Sequence, residues 1–282
     1  MYAKTIEAIS EQAAAKLAAQ RRSLFGHFVR SMLAGMYVGV SIALIFTIGG
    51  TLSSGAPFVV RLLMGVCFGC ALNYVVFAGA ELFTGANLVL TLGVLTRQAR
   101  VSDLVQNWVW TWLGNLAGSM LLAWMVVQTG LFDNSGTTQG VYQFVQNLVA
   151  MKMNLPPMQL FWRAVLANWL VCLGVWMAAR IQTETARILM IWWCMFTFIT
   201  CGFEHSIANM FGLLLGLLVP HGENISWAGY WYNVGLATLG NIVGGAVLVA
   251  GFYWLGTPEM RAQVAAMQEK SEEVAAEPVL SN

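Results

Sequence analysis

Cys201-Gly202-Phe203-Glu204-His205-Ser206-Ile207-Ala208-Asn209-Met210 sets an acid and an imidazole side by side between two apolar runs, 188–200 and 211–219. An acid at the centre of a lipid-embedded helix costs roughly 2.5–3.5 kcal/mol, so such a residue faces protein or a water path. Gly202 and the polar cluster also predict a break in the helix. A break frees backbone N–H and C=O groups, which a membrane tolerates only where protein or a cavity satisfies them. The stretch is a candidate functional centre; the plainer alternative is a buried polar knot that ties helices together.

The surroundings of this stretch are those of an integral membrane protein. Of 282 residues 58% are hydrophobic and 10% charged, against about 25% charged in soluble domains. A crossing needs about 20 mostly apolar residues. Six are predicted, starting near Phe28, Phe58, Leu104, Met158, Ala186 and Trp227, in one channel domain over 1–282. The net charge of +1 says nothing about a nucleic-acid partner, and no basic cluster suggests one, so none is predicted. All five cysteines lie inside predicted spans. Cys67-Phe68-Gly69-Cys70 lacks the turn and the further ligands that a zinc or redox site needs, which leaves core cysteines.

Residues 1–26 are no signal peptide, having early acids and no continuous apolar stretch. Ile6, Ile9, Ala13 and Leu17 fall at helical spacing, which predicts an amphipathic helix lying at the cytoplasmic surface. With the N-terminus inside, 11 Lys and Arg are cytoplasmic, and only Arg61, Lys152 and Arg163 lie outside. That is a positive-inside orientation. Both termini are then cytoplasmic, and 259–282 form a polar tail.

The second and fifth segments are too long for one plain crossing. Polar interruptions at 81–85 and 202–206 predict helices broken near the midplane. The chain also repeats itself. Phe28-Val29-Arg30-Ser31 is echoed by Phe161-Trp162-Arg163-Ala164, Glu81 by Glu204, and Leu113-Gly114-Asn115 by Leu239-Gly240-Asn241. Three echoes in one order and at nearly constant offset predict a duplication. Three crossings per repeat is an odd number, so the halves are inverted, with a site where the broken helices meet. Glycines four apart, such as Gly114/Gly118 and Gly240/Gly244, predict close helix packing.

His205 is the one histidine well inside a predicted span. With Glu81 and Glu204 it cannot build a metal-ligand set, and no H-E-x-x-H or nucleophile elbow occurs. No metal, no cofactor and no enzyme activity is therefore predicted. What remains is a pore with one titratable donor, hydroxyls and amides at the breaks, and bulky apolar side chains. Helix N-termini at the breaks add partial positive charge. Such a pore favours a small polar or anionic solute.

The run Gly202-Phe203-Glu204-His205-Ser206-Ile207-Ala208-Asn209-Met210 closely resembles the formate/nitrite transporter family. So do Glu81-Leu82-Phe83-Thr84, Ala167-Asn168-Trp169-Leu170-Val171-Cys172 and Leu239-Gly240-Asn241-Ile242-Val243-Gly244-Gly245. The resemblance implies an aquaporin-like all-α fold of six transmembrane helices, assembled as a homopentamer with one pore per protomer. The Asn-Pro-Ala motifs of aquaporins are absent. Thr111-Trp112-Leu113-Gly114-Asn115 and Ile191-Trp192-Trp193-Cys194 resemble the nitrite branch.

By the same resemblance His205 is the central pore histidine, with Thr84 and Asn168 as its hydrogen-bonding neighbours. Lys152 matches the family's lysine and is implied to meet Glu204 and Asn209. Phe68, Leu72, Leu82 and Phe198 match the two apolar constrictions; from the residues alone, ordinary helix packing explains these four. The implied function is a nitrite channel of the bacterial inner membrane. The alternatives are a formate or other small-carboxylate channel and, more distantly, a neutral-solute pore.

Two routes stay open: conduction of the anion, and passage as neutral acid after proton exchange at His205. Transfer from a histidine near ~6.5 to a weak acid about three units lower costs roughly 4 kcal/mol. Removing the ion pair's attraction costs on the order of 4 kcal/mol more at an effective dielectric of ~20. Relief of desolvation, several kcal/mol per ion, opposes both. The sequence leaves the two routes level.

Overall fold

The computed structural model describes residues 2–52 and 56–276, and among them the regular structure is helical. In chain order the helices are α1 (Ala3–Arg22), α2 (Leu24–Thr51), α3 (Pro57–Phe68), α4 (Cys70–Phe77), α5 (Phe83–Leu95) and α6 (Val101–Val127). There follow α7 (Gln139–Met153), α8 (Pro157–Arg180), α9 (Glu184–Cys201), α10 (Ser206–Leu218) and α11 (Trp227–Ile242). A π-helical stretch (Val243–Gly251) continues α11 into α12 (Phe252–Leu255), and α13 (Pro258–Ala276) ends the described chain. Local chemistry sets the starts. Ser23 and Ser226 cap α2 and α11 through Gly26 and Gly229 N–H at 2.9 and 3.1 Å, while α3 and α8 open on prolines, which need no N–H partner.

Among the described residues six helices, counting α3–α4 and α11–α12 as one each, are long and apolar enough to cross a membrane. The two shorter apolar helices are α5 and α10, the second halves of the broken segments. Their breaks are built alike. Gly79 (φ +74°), two residues past the end of α4, and Gly202 (φ +73°), which directly follows α9, take the left-handed backbone that glycine adopts without strain. The next N–H turns back onto its own helix, Ala80 to Val75 at 3.0 Å and Phe203 to Phe198 at 3.1 Å. The following N–H, of Glu81 or Glu204, reaches the carbonyl of Arg30 or Arg163 at 3.2 Å in each case.

Two asparagines complete both breaks. Asn115 Nδ2 donates to the carbonyls of Ser31 (2.7 Å) and Glu81 (2.9 Å), and its Oδ1 accepts from Phe83 N–H (2.9 Å). Asn241 Nδ2 donates to Ala164 (2.7 Å) and Glu204 (3.1 Å), and its Oδ1 accepts from Ser206 N–H (2.9 Å). The partners correspond position for position, so the two halves are copies of one design. The interruption predicted at 81–85 is displaced: the chain is non-helical only up to Leu82, and Thr84 lies in the first turn of α5.

Close helix pairs hold each asparagine in place. A Cβ on Gly35 would strike the carbonyl of Asn115, and one on Gly118 that of Met32, which locks α2 to α6. Gly240 of α11 and Gly244 of the π-helical stretch come similarly close to Phe161 and Val165 of α8. The N-terminal segment departs from expectation. Ile6, Ile9 and Ala13 are fully buried and Leu17 nearly so, in a cluster with Leu88 and Leu92 of α5 and Trp176 of α8. The apolar face of α1 is covered by protein, so it does not rest on lipid.

Gly118→Leu and Gly244→Leu each force a side chain into a neighbouring backbone, and each is expected to abolish the oligomer on gel filtration; Ala265→Leu on the exposed face of α13 is expected to leave it intact. Equal yields and elution for all three would refute the close packing. Asn241→Leu keeps the volume but strands one N–H and two carbonyls, each worth about 1–3 kcal/mol when buried. It is expected to lower the detergent melting temperature sharply; a melting temperature within a degree or two of wild type would show that the break holds without the asparagine.

Candidate functional site

The two broken helices meet tip to tip. Thr84 Oγ1 in the first turn of α5 lies 2.9 Å from Nε2 of His205, which immediately precedes α10. The partially positive N-termini of α5 and α10 therefore face a common centre. His205 Nδ1 accepts the N–H of Ala208 at 3.1 Å and so caps α10. An accepting Nδ1 places the proton of the neutral ring on Nε2, so Nε2–H donates to the Thr84 hydroxyl. Charging the ring requires giving up this cap.

A cavity opens on each side of the pair. The one on the α7 side, about 480 Å³, reaches Phe198, Glu204, His205 and Asn209. The one on the α1 side, about 310 Å³, reaches Leu72 and Leu82. Between them lies a space of about 10 Å³, room for hardly one water. Phe68, Leu72, Leu82, Phe198 and His205 all line it. Phe68 and Phe198 meet edge to face with centroids 5.3 Å apart, and Phe198 lies 5.8 Å from the His205 ring. At this narrow middle Phe68, Leu72, Leu82 and Phe198 surround the imidazole, with Val38, Ala71, Val171 and Met195 completing the lining.

Each break carries a glutamate, and each glutamate has a lysine. Lys152 Nζ on α7 donates to Glu204 Oε1 at 2.7 Å and to Asn209 Oδ1 at 3.3 Å. Asn209 Nδ2 donates to Glu204 Oε2 and to Asn233 Oδ1, both at 2.7 Å, and Asn233 Nδ2 returns to the Lys152 carbonyl at 2.8 Å. Both oxygens of the buried carboxylate are thereby satisfied, which burying such a charge requires. On the opposite face Lys16 Nζ of α1 donates to Glu81 Oε2 at 2.6 Å. Among the described residues no group of three His, Cys, Asp or Glu side chains lies close enough to hold a metal ion.

The sequence-derived set is brought together with one exception. Asn168 is fully buried, lines neither cavity nor the space between them, and makes no hydrogen bond to His205. Its Nδ2 donates instead to Asn87 Oδ1 (2.9 Å) and the Asn241 carbonyl (2.6 Å), while Cys172 Sγ, one turn on, reaches the Thr84 carbonyl at 3.2 Å. Asn168 braces α5 from behind because it lies on a face of α8 turned away from the cavities, which Arg163 and Val175 of the same helix line. Four residues escaped the reading of the sequence: Lys16, Asn233 beside the Lys152–Asn209 pair, and Asn115 and Asn241 as side-chain ligands of the breaks. The repeat offset marked Asn115 and Asn241 as equivalent, and Lys16 stands to Glu81 as Lys152 stands to Glu204.

Comparison with known proteins agrees with this geometry. The formate/nitrite transporter family model matches residues 3–255. The nitrite transporter NirC of Escherichia coli is 39% identical over 271 residues, covering 94% of this chain and 96% of that protein. Among solved structures, an FNT family ion channel superposes with a TM-score of 0.83 at 39% identity, covering 90% of this chain and 99% of that one. A pentameric formate channel with formate bound superposes with a TM-score of 0.73 at 28% identity, covering 83% and 98%. Six apolar spans, two matched breaks and these likenesses make the chain a membrane protein of the formate/nitrite transporter family.

Proposed function

We propose that the chain is a nitrite channel of the bacterial inner membrane, passing small monovalent anions through one pore in each protomer of a homopentamer. The observation that carries this is the Thr84–His205 pair, a donor site at two converging helix N-termini between two cation-bearing cavities. Likeness to the nitrite transporter NirC supports nitrite, and likeness to a pentameric formate channel supports the assembly. That second likeness also favours an alternative solute, formate or another small carboxylate. The excess of Lys and Arg on the α1 side supports a cytoplasmic position for both termini. All of 1–282 then acts as one channel domain with a polar C-terminal tail.

In this reading an anion enters the wide cavity and is held by the Lys152 ammonium, which Glu204 and Asn209 position. It then sheds water between Phe198 and Phe68, where His205 Nε2–H and Thr84 replace part of its hydration. Leu72 and Leu82 form the second slit. Handing a proton to the anion requires a charged ring, and that sacrifices the Nδ1 cap of α10, worth about 1 kcal/mol. This tips a balance that is otherwise nearly level toward hydrogen-bonded passage past a neutral ring.

With nitrite, formate, chloride or glycerol on one side of a planar bilayer, nitrite current without glycerol flux is expected. Glycerol or water flux without anion current would sink the reading. His205→Asn retains a good N-cap and is expected to keep the oligomer, since asparagine suits that position. It loses the Nε2–H donor, worth roughly 1.5–3 kcal/mol toward an anion, or about tenfold or more in nitrite uptake. Its uptake into proteoliposomes is also expected to be flat between mildly acidic and neutral pH, because no other imidazole lines the passage among the described residues. Identical pH profiles for wild type and variant would show that the pH response does not come from His205.

A further inference from the structure

We propose that Arg61 and Arg163 form an anion-collecting pair in the α7-side cavity, so that anions are captured more strongly from that face than from the other. The inference rests on the channel reading above. Both arginines line the cavity together with Lys152. Among the described residues neither guanidinium has a hydrogen-bond or ion-pair partner. Two unpaired arginines opening into one cavity, Arg163 half-buried and Arg61 exposed, mark a place for a mobile counter-ion. The one carboxylate lining this cavity, Glu204, is already matched by Lys152 at 2.7 Å. Two positive charges therefore remain uncompensated, and arginine keeps its charge at any relevant pH.

Arg163 is also fixed in depth. Its carbonyl accepts the Glu204 N–H at 3.2 Å, which pins this turn of α8 beside the break. The duplication puts Arg30 in the same backbone role opposite Glu81, also at 3.2 Å, but Arg30 does not line the α1-side cavity. That cavity holds Lys16, neutralised by Glu81 at 2.6 Å, and Arg187, whose Nε is occupied by the Ile181 carbonyl at 2.8 Å. One uncompensated charge there faces two on the other side. Low-dielectric walls focus such a field and raise the local anion concentration.

The test is single-channel nitrite current in a planar bilayer, with nitrite in one chamber at a time. Wild type is expected to give two different half-saturating concentrations, the lower from the α7 side. R61Q/R163Q is expected to raise the lower one roughly three- to tenfold and leave the other unchanged, with the same current at saturation. R61K/R163K, which retains both charges, is expected to match wild type. In wild type alone, raising an impermeant salt to about 1 M shortens the screening length to about 3 Å and is expected to bring the two concentrations together. Equal half-saturation from both sides in wild type overturns the proposal, as does a double-Gln variant that leaves both unchanged or shifts both alike. A lysine variant that behaves like the glutamine one overturns it too, since capture would then depend on the guanidinium fork rather than on charge. Absence of any nitrite or formate current in wild type overturns the channel reading and this inference with it.

Discussion

Everything in this molecule depends on keeping two interrupted helices satisfied where there is no water. Each break exposes backbone groups that cost several kcal/mol apiece if left unpaired in lipid. Asn115 and Asn241 are suited to the task because one amide group offers two donors and an acceptor. Each spends both donors on carbonyls from two different segments and its oxygen on the first N–H of a half-helix. The close glycine contacts of α2 with α6 and of α8 with α11 exist to bring those asparagines within reach. Helix packing, break geometry and the central site are one construction.

The duplicated frame carries unlike contents. The N-cap position of α5 is Leu82, and the matching position of α10 is His205. One contributes an apolar plug and the other a cap and a donor, so a symmetric backbone yields a polar centre displaced toward one face. The lysine–glutamate pairs repeat the pattern, with Lys16 on α1 and Lys152 on α7. α7 is thus the counterpart of the amphipathic N-terminal helix. This explains why α1 buries its apolar face against α5 and α8: it belongs to the repeat and holds the cation for its own break.

The central space of about 10 Å³ describes a shut passage. In the proposed channel the passage opens by movement of Leu72, Leu82, Phe68 and Phe198, the bulky apolar side chains that line this space. His205 is held more firmly than these four, through Thr84 on one nitrogen and Ala208 on the other. In the proposed channel, a fixed donor flanked by apolar groups divides the labour of passing a small anion.

Six spans, two breaks, the duplication and the grouping of His205, Glu204 and Asn209 were legible in the sequence, because hydropathy, glycine spacing and repeat offset are all properties of residue order. The same order could not say where Asn168 points. Its motif neighbours Cys172 and Trp169 fix it on α8, but which face of α8 meets the cavity depends on how that helix rolls against α5 and α11. Nor could order alone show that α1 leaves the lipid surface, since an amphipathic face fits protein and headgroups equally well. Of the pairings across long separations, Thr84 with His205, 121 residues apart, was implied by the family resemblance, whereas Lys16 with Glu81, 65 residues apart, was decided only by the tertiary structure. The physical reason is that a hydrogen bond needs its two atoms within about 3 Å, and in this chain only the antiparallel fitting of two inverted halves brings them there.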